Sequence, residues 1–240
     1  TPRTRKQRAV QHVFAEGLIV VAILGWWSMS SDKPPITIPE PQAVARGIFD
    51  LFTDWSTLGH IAASTLRIAG AVVIAAFAGM LLALLTHNVP VLRVIVHERL
   101  QPFLNSMPSA GWALFGIIWF GPNHFTIVFV MVMILMPFAL VNIAEGLREI
   151  DQEAIEMARS FTRNRRKIFF KITLPLLMPY VMGALRIGYG VGWKVGVIAE
   201  LFGGESGIGF LILRAQTVAD STTVFAACFT MVLLFWAGEK

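Results

Sequence analysis

Apolar residues run along this chain in long continuous blocks, and the charged residues gather between them. Residues 100 to 144 include not one Asp, Glu, Lys or Arg. A helix crosses the ~30 Å hydrocarbon layer in about 20 residues. That block therefore holds two crossings, with Gly121-Pro122-Asn123-His124 as the turn between them. Transmembrane strands would alternate apolar and polar positions and close into a barrel. These blocks do not alternate, so they are read as helices. The pattern places six spans, at 13–29, 61–85, 109–121, 125–144, 175–201 and 221–238. The third is short, and reaches back toward Pro102 if Pro108 bends it.

Two polar segments between spans have patterns of their own. In the segment 30–60, the stiff run PPITIPEP leads into Val44, Ile48, Leu51 and Phe52 at helical spacing, opposite Arg46, Asp50 and Asp54. This predicts a short amphipathic helix, lying in the membrane interface or packed on the bundle. In the segment 145–174, Asp151 can cap a helix and Glu153 falls in its first turn, where the helix dipole favours an acid. Ile155, Ala158 and Phe161 then recur every three residues, and RNRRK closes the helix. Ile168 to Leu174 lead back to the membrane, where Pro175 opens the next span. The apolar stripe of such a helix must be buried on its own bundle or on a partner.

Charge sets the expected orientation. With the N-terminus inside, the inner segments hold fourteen Lys and Arg and the outer ones only Lys33, Arg46 and Arg214. The positive-inside rule then puts both termini in the cytoplasm. Composition agrees with a membrane protein: 55% of residues are hydrophobic, 15% are charged, and mean hydropathy is +0.66. Soluble domains carry about 25% charged residues. The net charge of +5 marks cytoplasmic loops rather than a nucleic-acid partner. The basic start TPRTRKQR is read as the cytosolic flank of a retained first helix, because Trp26-Trp27-Ser28-Met29-Ser30 lacks a small-residue cleavage site.

Several residues were weighed for chemistry. Cys228 is the single cysteine and lies in an apolar run, which suits packing. The five histidines show no metal-ligand spacing, and no Ser/His/Asp grouping marks a nucleophile. The stretch 203–209 (GGESGIG) has no Lys of the kind a phosphate loop requires, so it is read as an outer-surface turn. Gly188, Gly192 and Gly196 form overlapping GxxxG steps, which serve packing between spans or a face lining a dimer axis or pathway. Arg67, Arg186 and Lys194 lie within spans. Arg67, near a helix end, is read as snorkelling to the interface. Lys194 and Arg186 either attract an anion or pair structurally.

The segment 145–174 resembles the cytoplasmic signature of permeases of binding-protein-dependent ABC importers. That signature is Glu-Ala-Ala, three residues, Gly, nine residues, Ile, any residue, Leu-Pro. Here it stands as Glu156-Met157-Ala158, three residues, Thr162, nine residues, Ile172-Thr173-Leu174-Pro175, with Met157 and Thr162 departing from it. Further stretches are similar to the nitrate/sulfonate/taurine subfamily: PEPQAV, HIAASTLRI, WALFGIIWFGPN, LPLLMPYVMGALRIGYGVGW and AELFGGESGIGFLI. Together they cover roughly residues 36–235.

The resemblance implies an all-α, type I importer permease of the bacterial cytoplasmic membrane. In it, residues 1–12 form a cytosolic basic N-terminus and 13–240 a single transmembrane domain. Two permease chains, identical or different, would form the pathway, with two cytosolic ABC ATPase subunits beneath and a periplasmic or lipid-anchored binding protein delivering solute. The residues expected to couple to the ATPase are Asp151, Glu153, Glu156, Ala158, Phe161 and Thr162, with Ala158 at the closest contact. Thr162 tolerates positive φ badly, so Asn164 is expected to make the turn. ATP and Mg would be bound by the partner, with no cofactor or metal in this chain. The solute would be a small anion of the nitrate, sulfonate, taurine or bicarbonate kind, or alternatively an aromatic acid or vitamin-precursor pyrimidine. A stand-alone secondary transporter or channel would show more spans or inverted repeats, and no repeat is evident.

Overall fold

A computed structural model describes residue 21 and residues 24–30, 38–150 and 152–239, without the side chains of 152 and 153. Among these residues there are helices and turns and no strand. The chain divides into two compact units. One comprises Thr1–Leu58 and Leu211–Leu234, the other Gly59–Phe210 and Phe235–Lys240.

In the first unit α1 spans Pro41–Thr53, where the amphipathic helix was expected. Val44 and Leu51 are buried, while Arg46, Asp50 and Asp54 are exposed. Gly47 lies against Ala226 and Thr222, so α1 packs on a neighbouring helix and still leaves Phe49 and Phe52 outside. Trp26 stacks on Phe225 and Phe229. The first expected span falls mostly outside the described residues.

Asp54 ends α1 and starts α2 (Trp55–Asn88). Its carboxylate accepts from the Ser56 hydroxyl at 2.7 Å and the Ser56 backbone N–H at 3.2 Å. Those bonds, the hydroxyl's first, hold the carboxyl below the ordinary aspartate range. At 1.5 Å per residue, α2 is roughly 50 Å long, more than the ~30 Å hydrocarbon layer requires.

In the second unit α2 is followed by α3 (Pro90–Val94), a π-helical stretch Ile95–Leu100, α4 (Gln101–Ser106), α5 (Ser109–Phe120), α6 (His124–Glu149), α7 (Gln152–Phe161) and α8 (Arg165–Ile168). A second π-helical stretch, Phe169–Thr173, leads into α9 (Leu174–Gly203). Then come α10 (Ile208–Thr217) and α11 (Ser221–Glu239), which pass between the units. Each π stretch ends two residues before a proline, Pro102 or Pro175. A proline ring clashes with the carbonyl four residues back, and a widened turn relieves that clash without stopping the helix. Pro108 does break the run and caps α5, which has only 12 residues.

Among the described residues four helical runs are long and apolar enough to cross a membrane: Trp55–Asn88, His124–Glu149, Arg165–Gly203 and Ser221–Glu239. Inside the unit, α9 packs on α6 and α5. Lipid gives little hydrophobic drive for this, so close van der Waals fit must hold the helices together. Two glycines show how close. A Cβ on Gly79 would stand 2.7 Å from the Ala139 Cβ and 2.8 Å from the Leu140 nitrogen, and one on Gly146 would enter the Tyr180 ring. The core between them includes Leu140, Ile143, Leu147 and Leu177.

Candidate functional site

Three features could serve function: a buried polar cluster at one end of the second unit, the helix α7 at its other, arginine-rich end, and the exposed face of α9.

The cluster starts from helical spacing. His60, Ser64 and Arg67 stand at i, i+4 and i+7, so one face of α2 carries all three. Arg67 is 7% and Glu200 2% exposed, and they pair at 2.8 Å. Every guanidinium N–H has an acceptor. Nη1 donates to Glu200 Oε1 at 2.8 Å and to the Ser206 carbonyl at 2.6 Å. Nη2 donates to the Ser206 hydroxyl and to His124 Nδ1 at 2.7 Å, and Nε reaches the same His124 nitrogen at 3.1 Å. Arginine only donates, so His124 Nδ1 is the acceptor.

The carboxylate is equally saturated. Glu200 accepts from the Ser64 hydroxyl on both oxygens, at 2.9 and 2.8 Å, and from the Gly209 N–H at 3.0 Å. The Ile208 N–H donates to Ser64 at 2.8 Å and the Gly207 N–H to His60 Nδ1 at 3.0 Å. The loop comes this close because Gly207 has φ +118 and no side chain; a Cβ there would fall inside the Glu200 carboxyl group. A buried pair whose remaining donors and acceptors are filled is stable where it stands. It is a clasp that ties the loop at 206–209 to α2 and α9.

One expectation needs correction here. Arg67 does not snorkel to an interface: it is buried and paired with Glu200. The turn at 203–209 is present, and it is tied down from within.

At the arginine-rich end, α7 lies where the signature places a coupling helix. Its Ile155 packs on the core and Ala158 is 4% exposed, while Met157 is 60% and Phe161 83% exposed and Glu156 is exposed. Ala158 thus faces its own chain. Asp151 lies outside the described residues, as does the side chain of Glu153. Thr162 is half-buried, and its hydroxyl accepts from the Asn164 N–H at 3.3 Å. Asn164 does not take up the left-handed conformation expected of it. Its φ is −78, and its side chain caps α8 by accepting from the N–H groups of Arg166 and Lys167.

On α9 the glycine row is filled from within the chain. Gly188 faces Val72, Gly192 faces Ile68, Val72 and Leu135, and Gly196 faces Ile68 and Met131. Packing between spans, one of the two readings of that row, accounts for all three. Arg186 pairs with Glu239 at 3.4 Å in an exposed contact. Lys194 is exposed, and among the described residues no acid pairs with it. Gly183, with open space around it, and Gly190, whose missing Cβ would meet only Phe235 at 3.9 Å, lie near the same face.

Long apolar helices, one amphipathic helix between two of them and a bundle closed by small residues define a multi-pass membrane protein. The chain belongs to the family of binding-protein-dependent transport system inner membrane components, which it matches over residues 75–238. It is 26% identical over 231 residues to the taurine transport system permease protein TauC of Escherichia coli (strain K12), covering 93% of this chain and 83% of that one. It is 30% identical over 178 residues to the nitrate import permease protein NrtB of Leptolyngbya laminosa, covering 73% and 62%. The bicarbonate transport system permease protein CmpB of Synechococcus elongatus is 31% identical over 171 residues, covering 71% and 60%.

Proposed function

We propose that this chain is the membrane-spanning permease subunit of an ATP-driven importer. It works as one of a pair of permease chains, takes solute from a binding protein, and is moved by ABC ATPase subunits that hold the ATP and Mg. The observation that carries this reading is α7. One side of the helix is fixed to its own bundle through Ile155 and Ala158, and the other shows Met157 and Phe161 at the end of the molecule that bears the arginines. An apolar pair held out on an anchored helix suits a protein groove. The basic excess puts that end in the cytoplasm, where ATP is available.

The solute is a small anion. The transport relatives are named for taurine, nitrate and bicarbonate, all of which carry an oxyanion group. Lys194 stands exposed within a span with no acid to neutralise it, and such a residue faces a cavity or a partner in preference to lipid.

Because Ala158 is buried, the substitution that tests this reading lies on the outward side. Met157→Ser with Phe161→Ser removes both apolar contacts without touching the bundle. Loss of two interface anchors is expected to weaken ATPase retention roughly thirtyfold or more. Purification of the tagged variant should yield folded permease without the ATPase. Retention of the ATPase and of transport at parental levels would show that α7 is not the docking element.

A further inference from the structure

The arginines behind α7 remain unexplained by docking, because they line space on the bundle side of that helix. A cavity of about 710 Å³ lies between α7 and α8 on one side and the ends of α2 and α6 on the other. Arg159, Arg163, Arg165 and His87 line it, and among the described residues, which leave out Asp151 and the side chain of Glu153, no Asp or Glu does. A smaller cavity of about 300 Å³ shares His87 and Leu147 with it and brings Arg93, Arg148 and His97. Among the described residues that line it there is again no carboxylate. Of the two ion pairs among the described residues, neither involves any of these five arginines. Converging guanidiniums without counter-charge repel one another, and an anion entering between them relieves that repulsion.

The rest of the lining says what kind of anion fits. The rest of the lining is largely apolar, with Leu84, Leu147, Ile150, Ile168 and Phe169 beside the polar Asn88 and Thr173. Beyond it, Phe170, Val91, Val94 and Ile95 are exposed on the two segments that border these cavities. A free phosphate has no use for such a wall. A molecule with an anionic head and an apolar body uses both sides. Basic pockets between spans at the basic end of a membrane protein suit lipid head groups of this kind. The volume lies within the ~300–1,000 Å³ range of small-ligand pockets.

We infer that the cavity between α7–α8 and the ends of α2 and α6 binds the phosphate of an anionic phospholipid through Arg159, Arg163 and Arg165. The bound head group bridges α7 to the spans and fixes the angle at which Met157 and Phe161 are presented. The surrounding leaflet therefore takes part in setting the position of α7. The site stands on this chain's own residues and does not depend on which partner covers the helix.

Native mass spectrometry of the detergent-purified protein, with the subunits that accompany it, tests this with three probes: dioleoyl phosphatidylglycerol, dioleoyl phosphatidylcholine and inorganic phosphate. Phosphatidylglycerol should bind tightest. The triple variant Arg159→Gln/Arg163→Gln/Arg165→Gln should lose about a hundredfold, a factor of roughly five for each guanidinium. The triple Arg→Lys variant should keep most of the affinity, and it separates loss of charge from loss of fold. Equal binding of the two lipids to the parent protein would overturn the proposal, as would unchanged phosphatidylglycerol binding in a folded Gln variant. Inorganic phosphate that binds as tightly and displaces the lipid would assign the site to a soluble anion instead. Loss of the ATPase from the Gln variant with lipid binding intact would assign the arginines to a protein interface.

Discussion

Replacing Arg67 by Met keeps the length and apolar stem of the side chain and removes its five N–H donors. In the parent those donors satisfy Glu200, both oxygens of Ser206 and His124. After the change the Glu200 carboxylate, 2% exposed, keeps Ser64 and the Gly209 N–H but loses its only cation. Breaking one side of a buried pair costs about 3–5 kcal/mol. For a chain of this size each kcal/mol is worth about 2–4 °C, so the midpoint of thermal unfolding should fall by about 6–20 °C. The loop should loosen with it. A cysteine at Glu205, in a Cys228→Ser background, should react faster with an impermeant maleimide than in the parent. The double variant Arg67→Met/Glu200→Met removes both charges and leaves the Ser64 hydroxyl and the Gly209 N–H without that acceptor, a cost of about 1–3 kcal/mol each at most. It should melt higher than the sum of the two single effects predicts. Melting of Arg67→Met within about 2 °C of the parent, or simple additivity in the double variant, would refute the clasp.

Two further outcomes follow from α9. Lys194→Met should reduce uptake of an anionic solute in proteoliposomes while leaving solute-free ATP hydrolysis by the complex unchanged; undiminished uptake would take the lysine out of the pathway. Gly192→Leu forces a side chain onto Ile68 and Val72, which already stand 3.3 Å from a Cβ at that position, and overpacking of about 1–3 kcal/mol should lower folded yield. Gly183→Ala, with nothing within 4 Å, is the matched control, and equal yields for the two would contradict the packing described.

The four long spans among the described residues were legible because an uncharged apolar block has few other solutions in a chain of this composition. The position of α7 was legible too, from a three-residue repeat and the basic run that follows it. Its orientation was not. One apolar stripe can serve the chain's own bundle or a partner, and the pattern around Ala158 does not say which. Arg67 was misread for a related reason. A lone cation near a helix end is most simply solvated, and the acid that holds it lies 133 positions away. The spacing of His60, Ser64 and Arg67 was the available signal, since three polar residues on one face of an apolar helix need partners. The turn at Asn164 went astray because asparagine serves equally as a left-handed residue or as a cap, and two N–H groups within reach favoured the cap.

The clasp also limits how this protein can be recombined with its relatives. Residues 203–209 look from the sequence like a surface turn that could be exchanged freely. Their backbone is moulded onto one carboxylate: Gly207 has no room for a side chain beside Glu200, and a Cβ on Gly209 would stand 2.6 Å from the Val197 carbonyl oxygen. The donors that hold the same carboxylate come from Ser64 and Arg67, on a different helix. A graft that transfers the turn alone would set a foreign loop on an acid shaped for another. The transferable piece is discontinuous: residues 60–67 together with 200–209, with His124 between them in the sequence.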